Sequence, residues 1–478
     1  MHPTRLKPIR AGGKVCRPDG SWLSFGLILP GLIGSAGFLG AQGVSTEGAA
    51  GSTPSSLAAK WPGDRSVSDL DQDSQSSTDA IGALAPKARQ AAVNLTTGVP
   101  PTDLPPIFRW GTVMAHPSVG YGATYGTGLL VGPGRSQSTL VQTLSPGLNL
   151  ELGQNLKLDY DPRLVLYTAK GYHDTVNQAV TLLGATQRGD WSVNLNNHFG
   201  STDNPLIETA QQTQQTINTT RLSASRSLTS EMSLNLDLTQ MLRWTGNFNR
   251  TFSWSTTDSL NYRLRDNLSL GLIGALEYDQ VSRSIDMTNE RLQGSVQGSV
   301  GEKLSYSVTG GLEFREFLGI TAGIKISPIF SGNVNYQFTE KTSIGASLSR
   351  FVNPSVFNDE FIQTTKLEGT LHQRLFEKLT LQVSGGYRQT KHSRTISSNS
   401  AVQADDPLVA LGWIPPTGLK GYTFLQTDDY AFARFELSAR ILQRGTLTVF
   451  WLWSDNGSTL RALNFLSRQT GVRLSYGF

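Results

Sequence analysis

The strongest constraint in this sequence is an alternation of apolar and polar residues that recurs from about residue 110 to the end. Met232, Leu234, Leu236 and Leu238 are interleaved with Ser233, Asn235, Asp237 and Thr239. Leu268, Leu270, Leu272, Leu276 and Tyr278 share one face, with Ser269, Gly271, Glu277 and Asp279 on the other. Leu304, Tyr306, Val308 and Leu312 oppose Ser305, Ser307, Thr309 and Glu313, and Leu379, Leu381, Val383 and Tyr387 oppose Thr380, Gln382, Ser384 and Arg388. Ala433, Phe435, Leu437, Ala439 and Ile441 oppose Arg434, Glu436, Ser438 and Arg440. Side chains of a strand point to opposite faces in turn, so this period belongs to β-structure with one apolar and one polar face.

The turns give the arrangement. Short polar turns stand at Gly153-Gln154-Asn155, Arg188-Gly189-Asp190, Thr229-Ser230-Glu231, Arg265-Asp266-Asn267, Gly301-Glu302-Lys303, Thr339-Glu340-Lys341, Phe376-Glu377-Lys378 and Gln443-Arg444-Gly445. Most are about 35–41 residues apart, room for two strands and a longer loop. Short turns on one side and long loops on the other, with apolar and polar faces, are what a transmembrane barrel requires. The expected fold is therefore all-β: an antiparallel up-and-down barrel of about 18 strands, or 16 if the first hairpin is irregular. Its expected strands include 156–168 and 428–443. An even count puts both ends of the barrel on the short-turn side.

Hydropathy is blind to such a wall. The apolar fraction is 38% and the mean hydropathy −0.22, yet only every second residue of a barrel strand needs to meet lipid. The last strand carries Leu474, Tyr476 and Phe478 on its apolar face and resembles the C-terminal assembly signal of bacterial outer-membrane barrels.

The rest of the chain is organised around that barrel, at 106–478. Residues 1–43 read as a signal peptide: a basic stretch, an apolar Trp22–Leu39 segment, and Ala41-Gln42-Gly43 for cleavage. Residues 44–105, rich in Ser, Ala, Gly, Gln, Asp and Pro, read as a low-complexity, disordered periplasmic linker. Arg5, Lys7, Arg10, Lys14 and Arg17 against Asp19 account for the whole excess of +4, so the remainder is neutral and nothing points to nucleic acid. The one cysteine, Cys16, lies in the same segment, which excludes cysteine chemistry from the barrel.

A family resemblance follows. Arg350-Phe351-Val352-Asn353-Pro354-Ser355, Gly386-Tyr387-Arg388, Ser454-Asp455-Asn456-Gly457-Ser458 and the Tyr476/Phe478 pair are similar to segments of outer-membrane β-barrel porins encoded beside exopolysaccharide or exosortase loci. The resemblance covers residues 110 to 478 and rests on short, degenerate motifs. It implies a Gram-negative outer-membrane location and a pore or export role, and it carries over no catalytic residue and no defined solute.

Candidate site residues come from the polar phase of the strands. Arg243, Arg263, Glu277, Glu313, Glu368, Arg374, Arg388, Arg434, Glu436, Arg440 and Arg473 are expected to line a pore, where rings of charge screen solutes; pairing across strands is the plainer role for any one of them. The insertion at 395–427 is expected to narrow the lumen through Asp405, Asp406, Trp413 and Tyr422, or to cap the barrel mouth. The histidines show no metal-ligand spacing. Sets such as His198 with Ser201 and Asp203, or His392 with Ser393, arise readily where Ser and Asp are abundant. The expectation is a non-enzyme with no cofactor. Its expected partners are outer-membrane lipid and lipopolysaccharide, the barrel assembly machinery, and an undefined small solute or polysaccharide. A non-conducting docking barrel for a surface polymer assembly is the competing reading, and a barrel hydrolase the third.

Overall fold

The computed structural model describes residues 108–127, 138–170, 172–206, 211–246, 250–282, 286–318, 324–354, 360–376, 378–395, 423–442, 444–459 and 463–478. The segments expected to be a signal peptide and a linker, Cys16, and Asp405, Asp406, Trp413 and Tyr422 lie outside the described residues.

The described chain is all strand, apart from turns. In order these are β1 (Phe108–Trp110), β2 (Val113–Thr127), β3 (Thr139–Leu152), β4 (Leu156–Tyr160), β5 (Arg163–Tyr167), β6 (Thr175–Arg188) and β7 (Trp191–Leu206). There follow β8 (Gln211–Ser227), β9 (Met232–Thr245), β10 (Arg250–Arg265), β11 (Leu268–Val281), β12 (Met287–Val300), β13 (Leu304–Phe317) and β14 (Ile324–Thr339). The last are β15 (Thr342–Pro354), β16 (Glu360–Leu375), β17 (Leu379–Thr395), β18 (Thr423–Ile441), β19 (Gly445–Ser458) and β20 (Phe465–Gly477).

Each strand pairs antiparallel with its neighbours in sequence, except that β4 and β5 both pair with β3 and β6, and β20 pairs with β2, which closes the sheet. Closure removes the two free edges an open sheet would leave. The wall has 18 strands. β4 and β5 form one wall strand, since Leu148↔Tyr160 and Leu144↔Leu164 keep one register across Pro162, which has no N–H to donate. The three-residue β1 is an addition, pairing with the first residues of β2 below the end of β20. The sequence reading of 156–168 as one strand is thus right for the wall and misses the proline break; β18 begins at Thr423, five residues before the expected 428.

The short turns fall where the polar clusters put them. Gly153, Gly189 and Gly301 adopt positive φ of 68°, 59° and 60°, which glycine tolerates for want of a Cβ. Phe376 and Leu442 adopt the same conformation at φ 60° and 57° without that freedom.

Alternation sorts the wall. Leu270, Leu272, Leu276 and Tyr278 face outward and are exposed, whereas Ile273 and Ala275 between them and Asp279 just after them are buried. The outward face is banded: Trp244, Trp254 and Tyr278 lie toward the long-loop ends, and Tyr262, Tyr336 and Phe338 toward the short turns. Two aromatic belts flanking an aliphatic zone match the two interfaces of a bilayer. No helix among the described residues is long and apolar enough to cross a membrane, which says nothing about a wall of strands.

Candidate functional site: the charged inner wall

The inward residues of β8–β14 form a lattice of paired charges. Glu277, Asn289, Arg315 and Lys325 follow one another across β11–β14, and Arg291 and Glu313 are opposite each other one row nearer the short turns. Arg291 reaches Glu277 at 3.3 Å, Arg315 reaches Glu313 at 2.9 Å, and Arg221 reaches Asp237 at 3.0 Å. Ser253 Oγ donates to the Asp279 carboxylate, and Asn289 donates to Glu277. The Arg315 and Glu313 side chains are only 2% and 3% exposed. Charges so desolvated are stable only when paired, which this lattice achieves.

Arg315 has a second role. The ladder between β14 and β15 runs from Thr339↔Thr342 to Phe330↔Arg350 and stops, although β14 continues against β13 and β15 against β16. Prolines stand on both sides of this split, Pro328 in β14 and Pro354 at the end of β15, and neither can donate to a ladder. On the lumen side Arg315 donates to the Val352 carbonyl at 3.1 Å, tying β15 to β13 past the split.

The opposite arc, β16–β20, is built differently. Three of its guanidinium groups lie on rings: Arg388 is 4.7 Å from the Tyr430 ring, and Arg473 and Arg434 are 4.4 and 5.5 Å from the Phe450 ring. Glycines give the rings room. A Cβ at Gly386 would stand 2.7 Å from the Phe432 ring, and one at Gly471 would run into the Phe450 ring. A guanidinium stacked on a ring is held by its face and can still donate through its edge, as Arg434 does to Glu436. Carboxylates are present but fewer: Glu436 holds Arg434 at 2.6 Å, Glu368 holds Lys366 at 3.0 Å, and Asp428 binds His392 at 3.1 Å.

The sequence candidates are distributed over both arcs. Arg243, Glu277 and Glu313 belong to the paired lattice, with Arg243 buried. Glu368, Arg374, Arg388, Arg434, Glu436 and Arg473 take inward positions on β16–β20. Arg263 and Arg440 have the inward phase but stand exposed at the short-turn rim. Leu474 and Phe478 face outward, and the Tyr476 and Phe478 rings meet edge-on at 5.1 Å. Arg221, Arg291, Arg315, Asp279 and Lys325 are not among the sequence candidates. The same two-residue phase, carried through β8 and β11–β14, finds them. Tyr430, Phe432 and Phe450 escape it because aromatic residues on a polar face break the pattern that identifies that face.

The residues of the hydrolytic sets have other partners in the fold. His198 Nδ1 bonds Thr181 at 3.0 Å, Asp203 pairs with His173 at 2.8 Å, and His392 pairs with Asp428. Among the described residues no cluster of three or more His, Cys, Asp or Glu has metal-binding geometry.

No family model and no curated protein matches the chain. Among solved structures, the chain is similar to three proteins of Pseudomonas aeruginosa. OccK11 (OpdR) has 14% identity over 76% of this chain and 96% of that one, with a TM-score of 0.37. The outer membrane protein opdK has 11% identity over 76% and 98%, with a TM-score of 0.40. OprD has 11% identity over 76% and 95%, with a TM-score of 0.38. Likeness at this level says nothing of solute or mechanism.

Proposed function

We propose that this chain is an outer-membrane channel of a Gram-negative bacterium, passing small anionic solutes by diffusion or export. The observation that carries the reading is the wall itself: a closed 18-strand barrel, apolar and aromatic-belted outside, charged inside. A barrel of 16–18 strands is wide enough for an aqueous lumen. The preference for anions rests on the β16–β20 arc, where inward cationic side chains outnumber the carboxylates and Arg388 lies against the Tyr430 ring. The β8–β14 lattice opposite also holds one more cation than acid, Arg221, Arg243, Arg291, Arg315 and Lys325 against Asp237, Glu277, Asp279 and Glu313, so cations exceed acids on both sides of the lumen.

In this reading the short turns are periplasmic, outer-membrane lipid and lipopolysaccharide surround the wall, and the barrel assembly machinery inserts it. Small acidic saccharides are the finer substrate class, in keeping with the resemblance to barrels encoded beside exopolysaccharide loci. The barrel performs no chemistry on what it passes. Refolded protein in a planar bilayer should give discrete conductance steps whose reversal potential in a salt gradient favours anions. Electrical silence of a protein that is folded by heat modifiability overturns the channel reading in favour of a docking barrel.

A further inference from the structure

The split between β14 and β15 follows from where its prolines fall. The Gln337 N–H donates to the Lys303 carbonyl at 2.7 Å, so odd-numbered residues of β14 turn their backbone groups to β13 and even-numbered ones to β15. The Arg374 N–H donates to the Lys341 carbonyl at 2.7 Å, which turns the even-numbered residues of β15 to β14. Phe330↔Arg350 is therefore a hydrogen-bonding pair. On the same register the next two such pairs are Pro328 with Val352 and Ile326 with Pro354. Each holds one proline, so each lacks one of its two donors. Toward their other neighbours the same prolines need no N–H, and the ladders through Pro328↔Leu312 and Pro354↔Phe361 run on. The Val352 carbonyl, deprived of a donor at Pro328, takes Arg315 instead.

A ladder also ends short between β6 and β7, at Gln178↔Ser201. There the Asn177 side chain accepts from the Asp203 N–H at 3.0 Å and donates to Asn204 at 2.9 Å, which bridges the seam. The β14–β15 seam has different surroundings. Outside it, Ile324 and Ile326 stand 63% and 59% exposed, with Leu312 near them on β13. On the β15 side Arg350, at the apex, belongs to an outward polar row with Thr365, Gln389 and Asp429. The mouth of the split thus lies where hydrocarbon meets head groups. The Arg350 Nε is shielded from solvent without an acceptor, an unfavourable state that an anion there relieves. Inside the split Arg315 and Lys325 face Glu313 and Ser327, one more cation than acid. Four residues of β15 lie beyond the apex, about 13 Å at the rise of a strand.

We infer that this split is a side portal, through which a single-chain amphiphile with an anionic head passes between the lumen and the outer leaflet. The inference rests on the reading that the wall faces lipid and encloses a lumen. The acyl chain passes Ile324 and Ile326, while the head meets Arg350 at the apex and Lys325 inside. Arg315, bonded to the Val352 carbonyl, ties the two lips together, and its release frees the end of β15. The portal adds a sideways path to conduction along the barrel axis, for molecules whose tails are excluded from water.

The test uses the full chain with Cys16→Ser, reconstituted in liposomes, and compares Ser327→Cys with Ser331→Cys. Both serines have the inward phase of β14; Ser327 lies beyond the apex, and Ser331, opposite Ser349, lies within the β14–β15 ladder. Each variant is labelled with a maleimide on a hexadecyl chain bearing a sulfonate head, and separately with a small water-soluble maleimide. The labelling ratio of Ser327→Cys to Ser331→Cys should be at least tenfold higher with the amphiphile than with the water-soluble reagent. A trimethylammonium head in place of the sulfonate should lower amphiphile labelling of Ser327→Cys at least fivefold. Pro328→Val/Pro354→Val restores both donors and should zip the seam, read as slowed amide exchange at Val352. In that background the two ratios should become equal while axial conductance persists. Equal ratios in folded, heat-modifiable protein without the proline changes overturn the portal, and so does a zipped seam that still admits the amphiphile. Equal labelling by either head overturns the anionic class. The serine comparison needs no proline change, so it decides the matter even where the proline variant fails to fold. Equal ratios with conductance intact spare the channel reading, whereas electrical silence with selective labelling intact overturns the channel reading alone.

Discussion

The backbone N–H of Phe478 donates to the carbonyl of Pro117 at 2.9 Å, so the last residue of the chain is hydrogen-bonded to the first wall strand. Pro117 lies in β2 immediately before the first paired residue, Ser118, which is opposite Gly477. The terminal residue therefore belongs to the seam that turns a sheet into a barrel, and its ring, packed edge-on against Tyr476, belongs to the outer surface.

Loss of Phe478 should act at assembly. Deleting it, or Phe478→Ser, removes the final apolar side chain, and deletion also removes one seam hydrogen bond. The expected result is slower appearance of the heat-modifiable form and accumulation of unfolded chain in the periplasm, read by pulse-chase electrophoresis. Assembly at the unaltered rate would show that closure does not depend on this residue.

Removing charge from the β16–β20 arc should change selectivity more than stability. Arg388→Gln with Arg440→Gln leaves Glu436 and Glu368 in place and should shift the reversal potential toward cations. Substitutions facing the lumen tune selectivity with little effect on the wall. The folded fraction on cold electrophoresis should match that of the unaltered protein.

Arg315→Met should be costly. Its partner Glu313 would be left buried, and the Val352 carbonyl would lose its donor across the β14–β15 split. Breaking one side of a buried pair costs roughly 3–5 kcal/mol. Arg315→Met/Glu313→Leu should recover most of that in urea unfolding, but should leave the split more open, read as faster amide exchange in β15 beyond Arg350. If the single variant is as stable as the parent, the buried pair is not what holds this part of the wall.

Phe376→Gly should stabilise. Phe376 sits at φ 60° and is 82% exposed, so its ring is little buried while its Cβ incurs the left-handed penalty, about 1–2 kcal/mol. Glycine removes that penalty and adds some unfolded-state entropy, leaving a net gain of about 1 kcal/mol or less. A rise in the urea midpoint is expected. A fall would mean that the Phe376 ring anchors the turn at the membrane interface.

What the sequence determined by itself is whatever depends on near neighbours. Period two decides which side chains share a face, so alternation alone divides Leu268 to Tyr278 into outward and inward sets. Short turns at Gly153, Gly189 and Gly301 are written in the residue that tolerates positive φ. Strand count and connectivity follow, because antiparallel hairpins pair with their sequence neighbours. The tertiary structure decided what depends on register and closure. Which inward charge meets which is set by long-range ladders: Glu277 meets Asn289 and Arg291 only because β11 and β12 align as they do, and Arg315 finds Val352 only because β15 leaves β14 at Arg350. Arg388 and Arg473 read in sequence as lumen charges; that they lie on Tyr430 and Phe450 required the folded wall.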